Sequence, residues 1–312
     1  MSQAPAATDR PVVFIHTNAK QRLGALVSAH SFRRNARDPD SFEVRLLEAE
    51  KCPPLLAAEG RSFQRAGHGR VWHMDDLQSF TPLRFAVPDA MGHRGLGLVV
   101  DPDVFAVGDV GELFSRDRQG KAILCRARPG HNGAPDYLAS SVMLLDCALL
   151  PHWRFEETLE ELFSGRLDYV ELIELRRERR ETIGLLEPVW NDFDRLTPET
   201  RLLHTTKRRT QPWKTGLPVD FTLRERGFGP IPAALVRPVL RFWTAHARYR
   251  PHPDPGQEAY FFALLAECLD TGAVTRAEVE HGIRERHIRP DALEMADRCR
   301  GRFPPPRQPV AA

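Results

Sequence analysis

The apolar run Leu96-Gly97-Leu98-Val99-Val100 leads directly into Asp101-Pro102-Asp103. An unbroken apolar stretch of this length reads as a strand buried on both faces, which requires a sheet covered by helices on each side. Pro11-Val12-Val13-Phe14-Ile15 repeats the pattern and opens onto His16-Thr17-Asn18. Such sheets hold their ligands at the carboxyl ends of the strands, so both polar stretches are candidate site residues. Asp101 and Asp103, two positions apart just past a strand, can turn toward one hard divalent cation, Mn2+ or Mg2+, of the kind that also holds substrate phosphates. The plainer reading of Asp-Pro-Asp is a solvated turn.

The rest of the chain supplies the other layers of such a fold. The spacing predicts a helix from Lys20 to about Arg34 and a second from Phe155 to Ser164, the latter stopped by Gly165. Phe42 to Leu47, Ala122 to Arg126 and Val142 to Asp146 read as further strands. Alternating strands and helices predict an α/β, Rossmann-like domain with a mainly parallel sheet and helices on both faces, spanning residues 11–216. After Gly216 the pattern becomes helical, around Leu235 to Ala247, Gln257 to Leu269, Thr275 to Arg286 and Asp291 to Arg300, with a capping box at Thr275-Arg276-Ala277-Glu278. Residues 217–302 are therefore expected to form a C-terminal helical extension, with 1–10 a flexible N-terminus and 303–312 a disordered tail.

Composition narrows the class. At 312 residues and 42% apolar content the chain can bury a sizeable core. Met1 to Arg10 has no signal-peptide pattern, and nowhere do roughly 18 apolar residues run together, so a cytoplasmic protein without a transmembrane segment is expected. Five scattered cysteines suggest neither a disulfide framework nor a zinc site. The net charge of +2 gives no footprint for nucleic acid, and none is expected as a partner. A homo-oligomer is allowed for.

Further along, Arg201-Leu202-Leu203-His204 reads as a short strand ending in an imidazole, a side chain suited to manganese beside carboxylates. It is followed by Lys207-Arg208-Arg209 and Pro212-Trp213-Lys214. With these in view the chain resembles the family 8 glycosyltransferases, the group of glycogenin and the lipopolysaccharide galactosyltransferases, which carry a nucleotide-sugar on a GT-A fold. Thr81 to Pro88 resembles the family segment with an Arg before the acidic strand, and Val99 to Leu113 resembles its DxD block. Tyr137 to Leu145 is similar to its Asn-Ser-Gly-Val-Met-Leu segment, while Trp190-Asn191 and His204 to Trp213 resemble its closing motifs. The likeness spans roughly residues 11–216, four motifs in the family's order.

The resemblance implies a metal-dependent, retaining transferase moving a hexose from a UDP-sugar to an unidentified acceptor. It implies Asp101, Asp103 and His204 as metal ligands, and His16, Thr17, Asn18, Arg84, Asp101 and Lys214 as donor contacts. Lys207 and Arg208 would neutralise the leaving diphosphate. Ser140 is a candidate catalytic contact as well, although the plainer reading is a strand-opening residue. Two departures stand out: Ala139 replaces the family's Asn, and Asp168 to Leu172 is a poor match to its Asp-Gln motif, Asp168 and Glu171 reading instead as the exposed face of a charged helix. They support a rival reading, a non-catalytic nucleotide-binding or scaffold protein on the same fold. A nucleotidyltransferase could use the same carboxylates, but no Gly-rich basic loop follows Asn18.

Overall fold

Strand β1, Val12–Thr17, is buried at all six positions and forms the middle of one half of the main sheet. It is flanked by β2 (Glu43–Glu48) and β5 (Leu96–Val100), and parallel to both. Between β2 and β5 the chain makes a separate hairpin, β3 (Ser62–Arg65) with β4 (His68–Val71). Beyond β5 the order continues through β8 (Tyr137–Asp146), β7 (Ile123–Arg128) and β9 (Ile183–Leu185). Only β8 runs against its neighbours, so the six-stranded sheet is mainly parallel, as expected. The computed structural model describes residues 10–130, 136–220 and 247–303. Apart from Arg10, Ala247 and Phe303, the expected flexible N-terminus, the helix around 235–247 and the C-terminal tail fall outside them.

Alternation along the strands builds two cores. Val13, Ile15, Leu98, Val100, Val142 and Leu144 face the helix Arg22–Asn35, meeting Ala25, Ala29 and Phe32. Val12, Phe14, Val99, Met143 and Leu145 face the opposite way, toward Phe85, Trp153 and the helix Phe155–Phe163. Both faces of the sheet are thus covered, which is why β5 is apolar along its whole length and β1 turns polar only at His16 and Thr17. Burial pushes the thiols of Cys125 and Cys147 up to about 12, and both act as small apolar residues in the core.

Asp168 differs from its sequence reading. It is the N-cap of the short helix Tyr169–Ile173, in a capping box with Glu171, and its carboxylate also accepts from the backbone N–H of Ala66 and Gly67 in the β3–β4 turn. Its role is to join two backbone segments rather than to line a helix surface.

The chain divides into two units, one reaching His204 and the other running from Thr205 to Phe303. The second holds helices Pro255–Thr271, Arg276–Arg284 and Ala292–Cys299, close to the three expected there, and Thr275 caps the middle one with the expected box. Within that unit Trp213 is fully buried, its ring 4.8 Å from that of Phe261, and its carbonyl accepts from the Arg289 N–H. No described helix is long and apolar enough to cross a membrane.

Candidate metal centre

The fold brings the three expected metal ligands together by register. The Asp101 N–H donates to the Ser141 carbonyl and the Val104 N–H to the Asp101 carbonyl, so Asp-Pro-Asp forms a tight turn off β5. The chain then enters β6 (Val104–Ala106), which joins a small sheet with β10 (Asp192–Phe193) and β11 (Leu202–His204) and pairs antiparallel with β11 so that Val104 stands opposite His204. One residue before Val104, Asp103 therefore lies beside the imidazole: His204 Nε2 is 3.3 Å from Asp103 Oδ1 and 3.9 Å from Asp101 Oδ2. One ligand atom from each of the three lies within 4.8 Å of the others. His204 is buried, and both carboxylates keep a small exposed fraction, 14% for Asp101 and 13% for Asp103.

The imidazole is held in the tautomer a metal needs. Asn191 Nδ2 donates to Ser141 Oγ at 3.1 Å, which turns Asn191 Oδ1 toward His204 Nδ1 at 2.8 Å. A carbonyl oxygen can only accept, so Nδ1 carries the proton, which leaves Nε2 as the nitrogen a cation between the carboxylates would take. Two carboxylate oxygens and an imidazole nitrogen converging on one point are a fitting donor set for manganese or magnesium. Asn191 acts on the site only through His204. Asn191→Ala is expected to weaken Mn2+ binding by roughly 10- to 100-fold, the range for losing such a partner, while Asn191→Asp keeps the acceptor and loses less. Calorimetric titration of both variants with Mn2+ and UDP checks this.

Asp101 is engaged on its other side. Arg84, from the 3-10 turn Thr81–Ala86, donates through Nη2 to both Asp101 oxygens at 2.6 Å and through Nη1 to Ser140 Oγ at 2.8 Å. His16 Nε2 is 2.8 Å from Asp101 Oδ1, with Arg84 Nε 3.2 Å from the same nitrogen. Burial alone would raise the Asp101 pKa, but the Arg84 charge and the His16 hydrogen bond outweigh it and hold the carboxyl well below the usual range. Burial lowers the His16 pKa despite the neighbouring carboxylate, so the ring is neutral and gives its Nε2 proton to Asp101. His16 Nδ1 is then a buried acceptor with no partner among the described residues.

The remaining expected contacts separate into groups. Thr17 Oγ1 donates to the Asn18 carbonyl. Asn18 precedes the 3-10 turn Ala19–Gln21 but makes no side-chain cap; its Nδ2 ties down the 76–79 loop through the Asp76 carbonyl at 3.1 Å and Ser79 Oγ at 3.0 Å. Ser140 is buried, accepting from Arg84 and donating to the Ile173 carbonyl. His16, Arg84, Ser140, Asp101, Asp103 and His204 therefore form one connected set. Lys207, Arg208 and Lys214 lie in the second unit, where Lys207 is exposed and the fully buried Lys214 donates to Asp220 and lies over the Tyr249 ring. Asn191 was legible in the sequence only as half of the Trp-Asn motif, with nothing to show that it holds His204.

No protein-family model matches the sequence, and no curated protein matches it. Solved structures do. The apo form of the glycosyltransferase GlyE of Streptococcus pneumoniae TIGR4 aligns with 85% of this chain and 64% of its own, at 17% identity and a TM-score of 0.46. The galactosyltransferase LgtC, solved in complex with donor and acceptor sugar analogues, aligns with 79% of this chain and 99% of its own, at 12% identity and a TM-score of 0.46. Mouse xyloside xylosyltransferase 1 in its apo form aligns with 64% of this chain and 98% of its own, at 15% identity and a TM-score of 0.42. These structures are glycosyltransferases, the group that the motifs of the chain resemble. At such identities and scores the likeness assigns no activity, substrate or partner.

Proposed function

We propose that this chain is a divalent-metal-dependent glycosyltransferase that moves a hexose from a UDP-sugar to an acceptor, with retention at the anomeric carbon. The observation that carries the reading is the convergence of ligand atoms of Asp101, Asp103 and His204 within 4.8 Å, at the carboxyl end of a buried strand. These three residues would hold Mn2+ or Mg2+, and such a cation, when bound, supplies charge neutralisation for a diphosphate.

The chain's own residues do the rest. Arg84 holds Asp101 ionised and oriented. Asn191 fixes the proton on His204 Nδ1. The buried acceptors His16 Nδ1 and Asn18 Oδ1, at the end of β1 and without a partner among the described residues, suit the N–H and hydroxyl donors of a nucleoside. Thr17 belongs to the same donor side. Ser140 is held against Arg84, and with no side-chain amide at Ala139 the donor sugar would meet a smaller surface there. The acceptor loses its proton to the leaving phosphate, so no separate general base is required. Residues 11–216 make up the proposed catalytic segment, acting in the cytoplasm where UDP-sugars are available.

Lys207 and Arg208 are assigned to the chemical step, because their charge matters most while charge grows on the leaving diphosphate. Lys207→Ala combined with Arg208→Ala is expected to lower kcat by about 100-fold and to raise the donor KM much less. Steady-state kinetics on the paired variant checks this, and an unchanged kcat would leave them as solvated charges. The reading as a whole is tested by incubating the protein with Mn2+ and a panel of UDP-hexoses and measuring UDP. Metal-dependent release supports it. Tight UDP and metal binding without release on any donor or acceptor favours the scaffold reading that Ala139 suggests.

A further inference from the structure

A second charged feature lies at the same edge of the sheet, two strands beyond the metal turn. Strands β1, β5 and β7 are parallel and β8 lies between β5 and β7, so His16, Asp101 and the end of β7 all emerge on one side. At roughly 4.8 Å per strand, β7 stands about 10 Å from β5, on the side away from β1. Its pairing with β8 shifts between Cys125 and Arg126, an irregularity that re-aims the side chains that follow. Past the shift, Arg126 stands opposite Ala139 and Arg128 opposite Tyr137. Directly opposed residues and residues two apart share a face, so both arginines lie on the face of Ala139.

Both guanidinium groups converge on one ring. Arg126 lies 4.3 Å and Arg128 4.6 Å from the centre of Phe193, and Arg128 is also 5.9 Å from Tyr137. The Phe193 ring is in turn 5.5 Å from the His204 imidazole. Arg126 is fixed by donation to the Asn191 carbonyl at 2.5 Å, whereas Arg128 has only its two rings as contacts among the described residues. Neither makes an ion pair with a described carboxylate, and the exposed Arg195 adds a third positive charge. Burial, together with Arg128 and Arg195, lowers the Arg126 pKa even though the charge of Asp192 opposes the shift. Arg126, Arg128 and Arg195 together face the single carboxylate charge of Asp192, so the cluster keeps a net positive charge that a bound anion would offset.

We propose that Arg126 and Arg128, supported on Phe193, form an anion platform that recognises a phosphate group carried by the acceptor sugar. Phosphate fits because two guanidinium forks can engage its oxygens together, and its double charge balances both. The acceptor side follows from position: the nucleoside acceptors are on β1 and the metal turn on β5, so a donor spanning those two strands leaves β7 to the other substrate. This assignment rests on the glycosyltransferase reading.

The test uses the full chain and glucose 6-phosphate as probe, with glucose and inorganic phosphate as controls at fixed ionic strength. Calorimetry should show glucose 6-phosphate binding more tightly than either control. Arg128→Gln should weaken it at least about 10-fold, the size of one lost charge-assisted contact, and Arg128→Lys by less. Both variants should melt as the wild type does and keep the stabilisation given by UDP with Mn2+. Equal binding of glucose 6-phosphate by wild type and Arg128→Gln overturns the proposal. So does displacement of the probe by UDP with Mn2+, which would place its phosphate in the donor site, and so does inorganic phosphate binding as tightly as the phosphosugar. If UDP with Mn2+ does not bind while Arg128-dependent phosphosugar binding persists, the glycosyltransferase reading fails and the anion platform stands.

Discussion

Asp103→Asn is expected to remove the stabilisation that UDP and Mn2+ together give the folded protein, while leaving the unliganded melting temperature close to that of the wild type. An amide matches the carboxylate in shape but brings no negative charge, and the proposed cation would be held by the Asp101 and Asp103 carboxylates and the His204 imidazole. Losing one of the two charges halves the formal charge of the donor set. A ligand present at 100 times its dissociation constant stabilises a fold by about 2.7 kcal/mol, so the difference is readily seen in a thermal melt. The control is internal: His204→Ala leaves both carboxylates and lets water fill the vacated position, so it should keep part of the response. Should Asp103→Asn respond to UDP and Mn2+ as fully as the wild type, the cation is not held at this turn.

The contrast between these ligands and their supports marks what the sequence conveys. Asp101 and Asp103 were legible because strand and carboxylates are contiguous, and contiguity puts them at a strand end in any sheet of this class. His204 was legible for the same reason, as the last residue of a short apolar strand. The contacts that make them a site depend on register between distant strands, which periodicity does not encode. Pairing of β6 with β11 sets His204 opposite Val104, and pairing of β1 with β5 sets Ile15 beside Val100, so that His16 and Asp101 follow together. Strand direction is equally hidden: the run Tyr137–Asp146 reads as a strand either way, and only the structure shows it antiparallel to β5. Asp168 was misread although its pattern was available, since Asp-x-x-Glu before an apolar pair is a capping box, the signature correctly read at Thr275. The stacking of Arg126 and Arg128 on Phe193 joins residues about 65 positions apart and has no local signal at all.

Arg84→Met is expected to be the most destabilising single change in the site, and to impair metal binding without touching a ligand. The Arg84 side chain is 9% exposed and its guanidinium meets three residues: both oxygens of Asp101, the hydroxyl of Ser140, and His16, whose Nε2 is 3.2 Å from Arg84 Nε. Methionine replaces much of its volume, so the packing loss is small and the electrostatic loss dominates. Without Arg84 the Asp101 carboxylate stays mostly desolvated with only a neutral imidazole as donor, and removing one member of a buried pair costs about 3–5 kcal/mol. Asp101 still has its 14% exposed fraction, which places the expected loss at the lower end of that range. The double variant Arg84→Met with Asp101→Asn removes the stranded charge, so it should be more stable than Arg84→Met alone despite carrying one more substitution. Urea unfolding of the two single variants and the double variant measures this coupling. Strictly additive losses would mean that Arg84 contributes by packing alone, and that the Asp101 carboxylate is held in place by His16 and the turn.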